Sequence, residues 1–178
     1  MPFAPQGHHG GTIAVTPIDA RRWRLLEPVR YTGATQDFEI PRGYVTDFAS
    51  VPRVAAWLVP TYGRYTAPAI LHDYLITDCI PAGLISPVDA DGLFRRAMRE
   101  LGVAPVRRRL IWAGVRWGAA FNRRRRAGWW GTAPQVLGIT VLALPLAVPM
   151  LAVGAGLVLY GVAELVATGG RRKGTLST

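Results

Sequence analysis

Between residues 12 and 46 apolar and polar positions alternate in short stretches, 12–18, 23–31 and 38–45, broken by Pro17, Pro28, Gly33 and the turn signal Pro41-Arg42-Gly43. A period of two with β-branched residues between such breakers predicts a small antiparallel β-meander. After Ser50 the spacing becomes helical: 54–59 reads as a short turn or helix, 67–78 as a longer helix, and 87–101 as a third. The third has clear boundaries, with Ser86 at the N-cap, Pro87 at the first helical position, Asp89 in the first turn and Gly102 just past the end. Each suits its place: a cap oxygen or first-turn carboxylate meets the exposed N–H groups, and Gly accepts the left-handed turn that closes a helix. The apolar side is Leu93 or Phe94, Ala97, Met98 and Leu101. A fourth helix starts after Pro105, where Leu110, Ala113, Trp117 and Phe121 form a stripe flanked by arginines.

The apolar pattern then changes scale. From Thr132 to Ala163 a run of 32 residues holds no charge and is dominated by Leu, Val, Ala and Gly. As a helix it would reach roughly 48 Å, against a bilayer hydrocarbon core of about 30 Å. The run is C-terminal, and the N-terminus has neither the basic nor the apolar part of a signal peptide, so a membrane anchor is the expectation. Pro145 and Pro149 lie near its middle, which leaves two arrangements: a single kinked span, or a helix-break-helix hairpin returning to the starting side. Arg123 to Arg126 before the run and Arg171, Arg172 and Lys173 after it mildly favour the hairpin and place the N-terminal part on the cytoplasmic side. Trp129 and Trp130 read as interfacial aromatics.

Charge sharpens this picture. The 21 basic residues against 11 acids give a net charge of +10, which raises nucleic acid as a partner. Yet Arg107, Arg108, Arg109, Arg116 and Arg123 to Arg126 crowd toward the anchor. A basic amphipathic helix feeding an apolar segment fits anionic lipid headgroups better, and disfavours nucleic acid. A protein partner at the membrane stays open. The lone Cys79 excludes an internal disulfide.

The organisation expected is a flexible N-terminus (1–11), an α+β domain (12–103) of a small meander packed with three or four helices, a basic amphipathic helix (104–131), a transmembrane or hairpin segment (132–168) and a basic tail (169–178).

The string Pro41-Arg42-Gly43-Tyr44-Val45-Thr46-Asp47-Phe48-Ala49-Ser50-Val51-Pro52-Arg53, then Gly63-Arg64-Tyr65, His72-Asp73-Tyr74-Leu75 and Ala90-Asp91-Gly92-Leu93-Phe94-Arg95-Arg96-Ala97-Met98, resembles a phage and prophage family known only as domain of unknown function 1353. The resemblance covers about residues 12–120. It implies a viral or prophage origin and brings no activity.

His72 is the one histidine of the folded region, since His8 and His9 lie in the Gly- and Pro-containing N-terminus. The pair His72-Asp73 on one helix, with Asp91 on the next, is similar to the helix of secreted phospholipases A2. That resemblance implies His72 as general base on a water, Asp91 orienting the imidazole, and Asp73 as a calcium ligand. Independently of it, a carboxylate within hydrogen-bond reach of a His holds one tautomer and makes it more basic. Calcium takes oxygen ligands, which Asp73, Asp47 and backbone carbonyls offer. Framework disulfides and a Gly-rich calcium loop are absent. The bland alternative is a satisfied His–Asp pair, with Asp47 capping a turn and Asp91 meeting a helix N-terminus. Tyr62, Arg64 and Tyr65 are pocket candidates near the His.

Other chemistries fit worse. Zinc hydrolases and the His-Asp phosphohydrolases need more histidines, which disfavours zinc. A triad through Ser50 lacks the glycines of a nucleophile elbow, and no P-loop or dinucleotide fingerprint occurs. Two function classes follow. The first is a membrane-anchored phage-type accessory protein that binds the membrane or a partner; the second is a membrane-tethered lipid or ester hydrolase.

Overall fold

The computed structural model describes residues 3–5, 13–33, 36–48, 56, 58 and 63–168. The expected helix at 54–59 largely lies outside the described residues, as do Ser50, Tyr62, His8, His9 and the basic tail. Six strands come first: β1 (Phe3–Pro5), β2 (Val15–Pro17), β3 (Trp23–Leu25), β4 (Val29–Thr32), β5 (Asp37–Ile40) and β6 (Val45–Thr46). They form two three-stranded antiparallel sheets, ordered β1-β4-β5 and β2-β3-β6, in place of one meander. The cause is local. Pro28 has no N–H to donate to a ladder and divides the stretch 23–31 into β3 and β4, which join different sheets. Gly43, at φ 85°, divides 38–45 in the same way. The flexible N-terminus expected over 1–11 does not hold for Phe3–Pro5, because Phe3 is buried with its ring 4.9 Å from that of Tyr31 and the strand pairs with β4.

Alternation along β4 and β5 turns Val29, Tyr31, Phe38 and Ile40 inward, onto Ile70, Leu71 and Leu75 of the first helical region. That region is α1 (Thr66–Tyr74), continued by a π-helical turn at Leu75–Cys79. Next, α2 (Pro87–Glu100) starts as expected: Ser86 Oγ accepts the Asp89 N–H at 3.2 Å and donates to its carboxylate at 2.6 Å. Phe94 and Met98 of α2 pack with Tyr65, Ala69 and Val103 in a second cluster.

The next helix, α3 (Pro105–Phe121), does not bury the expected stripe. Its buried face is Trp112, Ala113, Arg116 and Ala119, while Phe121 is 86% exposed. The displacement follows from Arg116, which is drawn inward by a buried carboxylate.

The apolar run forms α4 (Trp129–Ala143), a 3-10 turn at Leu144–Leu146, and α5 (Ala147–Ala167). Together Trp129–Ala167 is one helical stretch of 39 residues, long and apolar enough to cross a membrane. Pro145 produces the 3-10 turn and no reversal: residues 143, 144, 146 and 147 all keep right-handed helical backbone, so the chain does not double back as a hairpin. The two halves differ in surroundings. α4 buries Trp129, Ala133 and Val136, the last against Trp112 and Ala113 of α3, whereas no residue of α5 is buried. At about 1.5 Å per residue, the 21 residues of α5 span roughly 31 Å, the thickness of a hydrocarbon core. Trp129 is not an interfacial aromatic: its Nε1 donates to the Arg116 carbonyl at 2.8 Å inside the fold. Trp130, 83% exposed, stays free for that role.

Candidate functional site

Helix α1 carries His72 and Asp73 at adjacent positions, about 100° apart around the axis, so the two side chains meet different neighbours. His72 faces α2, where its Nε2 lies 2.7 Å from Asp91 Oδ1 and its ring stacks on Phe94 at 4.7 Å between centroids. Asp91 is fully buried and serves two further donors. Arg116 Nη1 donates to Oδ2 at 2.9 Å, and Arg125 Nη2, from the α3–α4 connection, donates to Oδ1 at 3.0 Å. Arg116 has no exposed surface, and its Nε donates to Thr132 Oγ1 of α4 at 3.0 Å. One carboxylate therefore ties together α1, α2, α3 and the start of α4.

Burying charge is tolerated only when it is matched, and here two guanidinium groups face one carboxylate. Burial alone would push the Asp91 carboxyl up, but the hydrogen bonds from His72 and Arg116 and the charge of Arg125 hold it below the ordinary range. Burial drives the His72 pKa below its usual 6.5; Asp91 opposes this, and the Arg125 cation adds to it. At neutral pH the ring is accordingly neutral, with Nε2–H donating to Asp91 and Nδ1 left as the basic nitrogen. Two buried donors, Arg116 Nη2 and Arg125 Nε, have no partner among the described residues.

Asp73 meets the sheet instead. Thr46 Oγ1 donates to Asp73 Oδ2 at 2.5 Å while accepting the Phe48 N–H at 2.9 Å. Phe48 has φ 64°, an uncommon conformation for a bulky residue, and it lies next to this pair. Burial pushes the Asp73 carboxyl up to about 7, against the Thr46 hydrogen bond and with the help of the neighbouring Asp47 charge. Asp73 and Asp47 thus share a neighbourhood. Among the described residues, however, no three His, Cys, Asp or Glu side chains converge as a metal site requires, and a carboxyl that is half protonated near neutrality is a weak calcium ligand. Calcium at these two residues would need most of its oxygens from elsewhere.

His72, Asp73, Thr46, Asp47 and Arg125 all open onto one cavity of about 1040 Å³. Beyond this polar end its walls are mostly apolar, with Thr140 of α4 among them. They run past Phe94, Ile111 and Gly114 to Leu144, Ala147 and Met150, the last two in the first turn of α5. At Gly114 and Gly118 of α3 an added Cβ would meet nothing within 4 Å. Arg64 and Tyr65 point elsewhere: Arg64 Nη1 donates to the Gly102 carbonyl at 3.4 Å, and Tyr65 is buried in the second cluster. Cys79 is buried with its thiol pKa pushed up, which makes it unreactive.

Sequence reasoning paired His72 with Asp91 and missed both arginines. Arg116 and Arg125 belong to the basic run assigned to lipid headgroups, yet both are spent inside the fold. A faint signal existed for Arg116, which stands three residues after Ala113 and three before Ala119, on the face that is buried.

No curated protein and no solved structure matches the chain. Residues 23–115 match the family described as "Protein of unknown function (DUF1353)", a span that includes His72, Asp73, Asp47 and Asp91 and ends just short of Arg116. That span is 93 of the 178 residues, more than half of the chain, and the protein belongs to the DUF1353 family.

Proposed function

We propose that the protein is a membrane-anchored lipid-binding domain: α5 holds it in the bilayer, and the cavity beside His72 receives an acyl chain. The observation that carries this reading is the continuity of the cavity. Its lining extends from His72 and Asp73 to Ala147 and Met150, in the first turn of a helix that buries none of its residues. A cavity of this size, apolar apart from a few convergent polar groups, has the character of a small-molecule site. Arg125 borders this end and places a positive charge beside the polar group of such a ligand. Basic residues ahead of the apolar run favour a cytoplasmic domain, and the reading does not depend on a viral origin.

A second reading, ester hydrolysis, is favoured by the His72–Asp91 geometry. Asp91 would hold Nε2–H, leaving Nδ1 to take a proton from water as the resulting hydroxide attacks an ester carbonyl. The low pKa of His72 keeps the base unprotonated at neutral pH. In this reading Asp73 and Asp47 border the substrate, with calcium an optional addition at their oxygens.

The test is to purify the full chain in detergent and extract it for mass spectrometry, then incubate it with phospholipid vesicles. Acyl lipid recovered in about stoichiometric amount supports the binding reading. Release of fatty acid that His72→Gln abolishes, in a protein that keeps its bound lipid, supports hydrolysis as well. A folded protein that yields no lipid and binds none sinks the proposal.

A further inference from the structure

A second cavity, of about 400 Å³, lies between α2 and α3 and is lined by Gly92, Arg95, Arg96, Arg99, Arg108 and Arg109. None of these residues lines the cavity beside His72, so the two sites are separate. Five guanidinium groups meet here from two helices, three of them on α2, where the sequence pattern drew no attention to charge.

Their partners do not balance them. Arg96 pairs with Glu100 through Nε at 2.8 Å, and Arg108 Nη1 reaches the Val103 carbonyl at 3.3 Å. Arg95, Arg99 and Arg109 have no carboxylate within ion-pair distance among the described residues. Arg95 is nonetheless held in place, its guanidinium stacked 4.6 Å from the Trp112 ring centre. Its pKa is pushed down by burial and by the charges of Arg108, Arg109 and Arg99, which is the mark of cations crowded together without a counter-ion. A solvated basic face spreads its arginines apart; here they converge on a concavity, and at Gly92 an added Cβ would meet nothing within 4 Å.

We propose that this cavity is a binding site for a phosphate group carrying two negative charges, either as a free phosphate ester or as a phospholipid headgroup. Guanidinium forks match the oxygens of phosphate and bind them through paired N–H donors. A monocarboxylate would neutralise one of the four charges that Glu100 leaves uncompensated, whereas a phosphate monoester offers two charges and three acceptor oxygens to the three unpaired arginines. The inference does not rest on the acyl-lipid reading, since either source of phosphate satisfies the site.

The experiment is a calorimetric titration of inorganic phosphate into the full chain in dodecyl maltoside micelles, which contain no phosphate. The expected result is saturable binding that weakens as sodium chloride is raised, and that falls at least tenfold in the double variant Arg95→Gln, Arg109→Gln. Because Arg95 packs on Trp112, the exposed Arg99→Gln is the second variant, expected to lose at least threefold with an unchanged melting temperature. Doping the micelles with phosphatidic acid separates the sources. A raised apparent Kd for free phosphate means that the headgroup occupies the site, and an unchanged Kd means that the ligand is soluble; either supports the proposal. Absence of saturable binding by a folded protein, or binding that both variants leave intact, overturns it. Displacement of phosphate by a DNA duplex at a hundredfold lower concentration, lost in the same variants, also overturns it in favour of nucleic acid.

Discussion

Filling the cavity at Gly114 separates ligand binding from stability, because the two should move in opposite directions. Gly114 lies in the middle of α3 and lines the cavity, and a Cβ there meets nothing within 4 Å. Gly114→Leu would send four carbons into that space. Within a helix, replacing Gly by Leu contributes about 0.8 kcal/mol of backbone stabilisation. A seated acyl chain, by contrast, would lose room for about four methylenes at about 0.8 kcal/mol each. That is about 3 kcal/mol, or roughly two orders of magnitude in affinity. The assay is cross-linking of a photoactivatable fatty acid to the full chain in phosphatidylcholine nanodiscs as a function of its concentration, beside a thermal melt. The expected outcome is a melting temperature at or above that of the parent with cross-linking shifted about a hundredfold. Unchanged cross-linking would refute the occupancy of this cavity, and a lowered melting temperature would refute the open space at Gly114.

Asp91→Ala should destabilise the protein by about 3–5 kcal/mol in denaturant titrations, because it leaves Arg116 buried without its counter-charge; a loss under about 1 kcal/mol would show that the arginines find other partners. Asp73→Asn tests the raised carboxyl. A native pKa of about 7 against 3.8 unfolded means that this group's contribution is fully present below about pH 3.8 and is lost as pH rises toward 7. The variant's advantage over the parent should therefore grow between pH 4 and 8, measured as the difference in melting temperature, and a constant difference would refute the shift. His72, with its pKa lowered, has the opposite slope and gains stability up to about pH 6.5; being common to both proteins, it cancels in that difference.

Much of the frame was legible because the signals were local. Ser86, Pro87 and Gly102 mark α2 by chemistry that involves only neighbours in the chain, and the structure places the cap and the end there. The His72–Asp91 contact was expected from the likeness of the His-Asp helix and the acid on the next helix to phospholipases A2, and in the fold it satisfies the one polar residue on the buried side of each helix. The two sheets were harder to foresee, since alternation marks a strand without naming its partner, and Pro28 interrupts 23–31 without saying where the second half goes. The arginines failed for a different reason. A guanidinium on a long stem reaches either lipid, solvent or a buried acid from the same helix position, and composition cannot choose among them. Arg116 turned inward because Asp91, 25 residues earlier, was already buried, and that fact exists only in the folded chain.

The contact between Arg116 and Thr132 has a practical and an evolutionary consequence. The border of the family match falls at residue 115, and the hydropathy pattern would place a cut near residue 131, yet the buried carboxylate is completed by groups on both sides of that line. A soluble version of the domain should therefore end after Leu146, keeping α4 as a lid on α3 and discarding only α5. By the same logic, exchange of the C-terminal helix among related chains would be free beyond Met150 and constrained before it, where Thr132, Trp129 and Val136 belong to the domain and Ala147 and Met150 line the cavity.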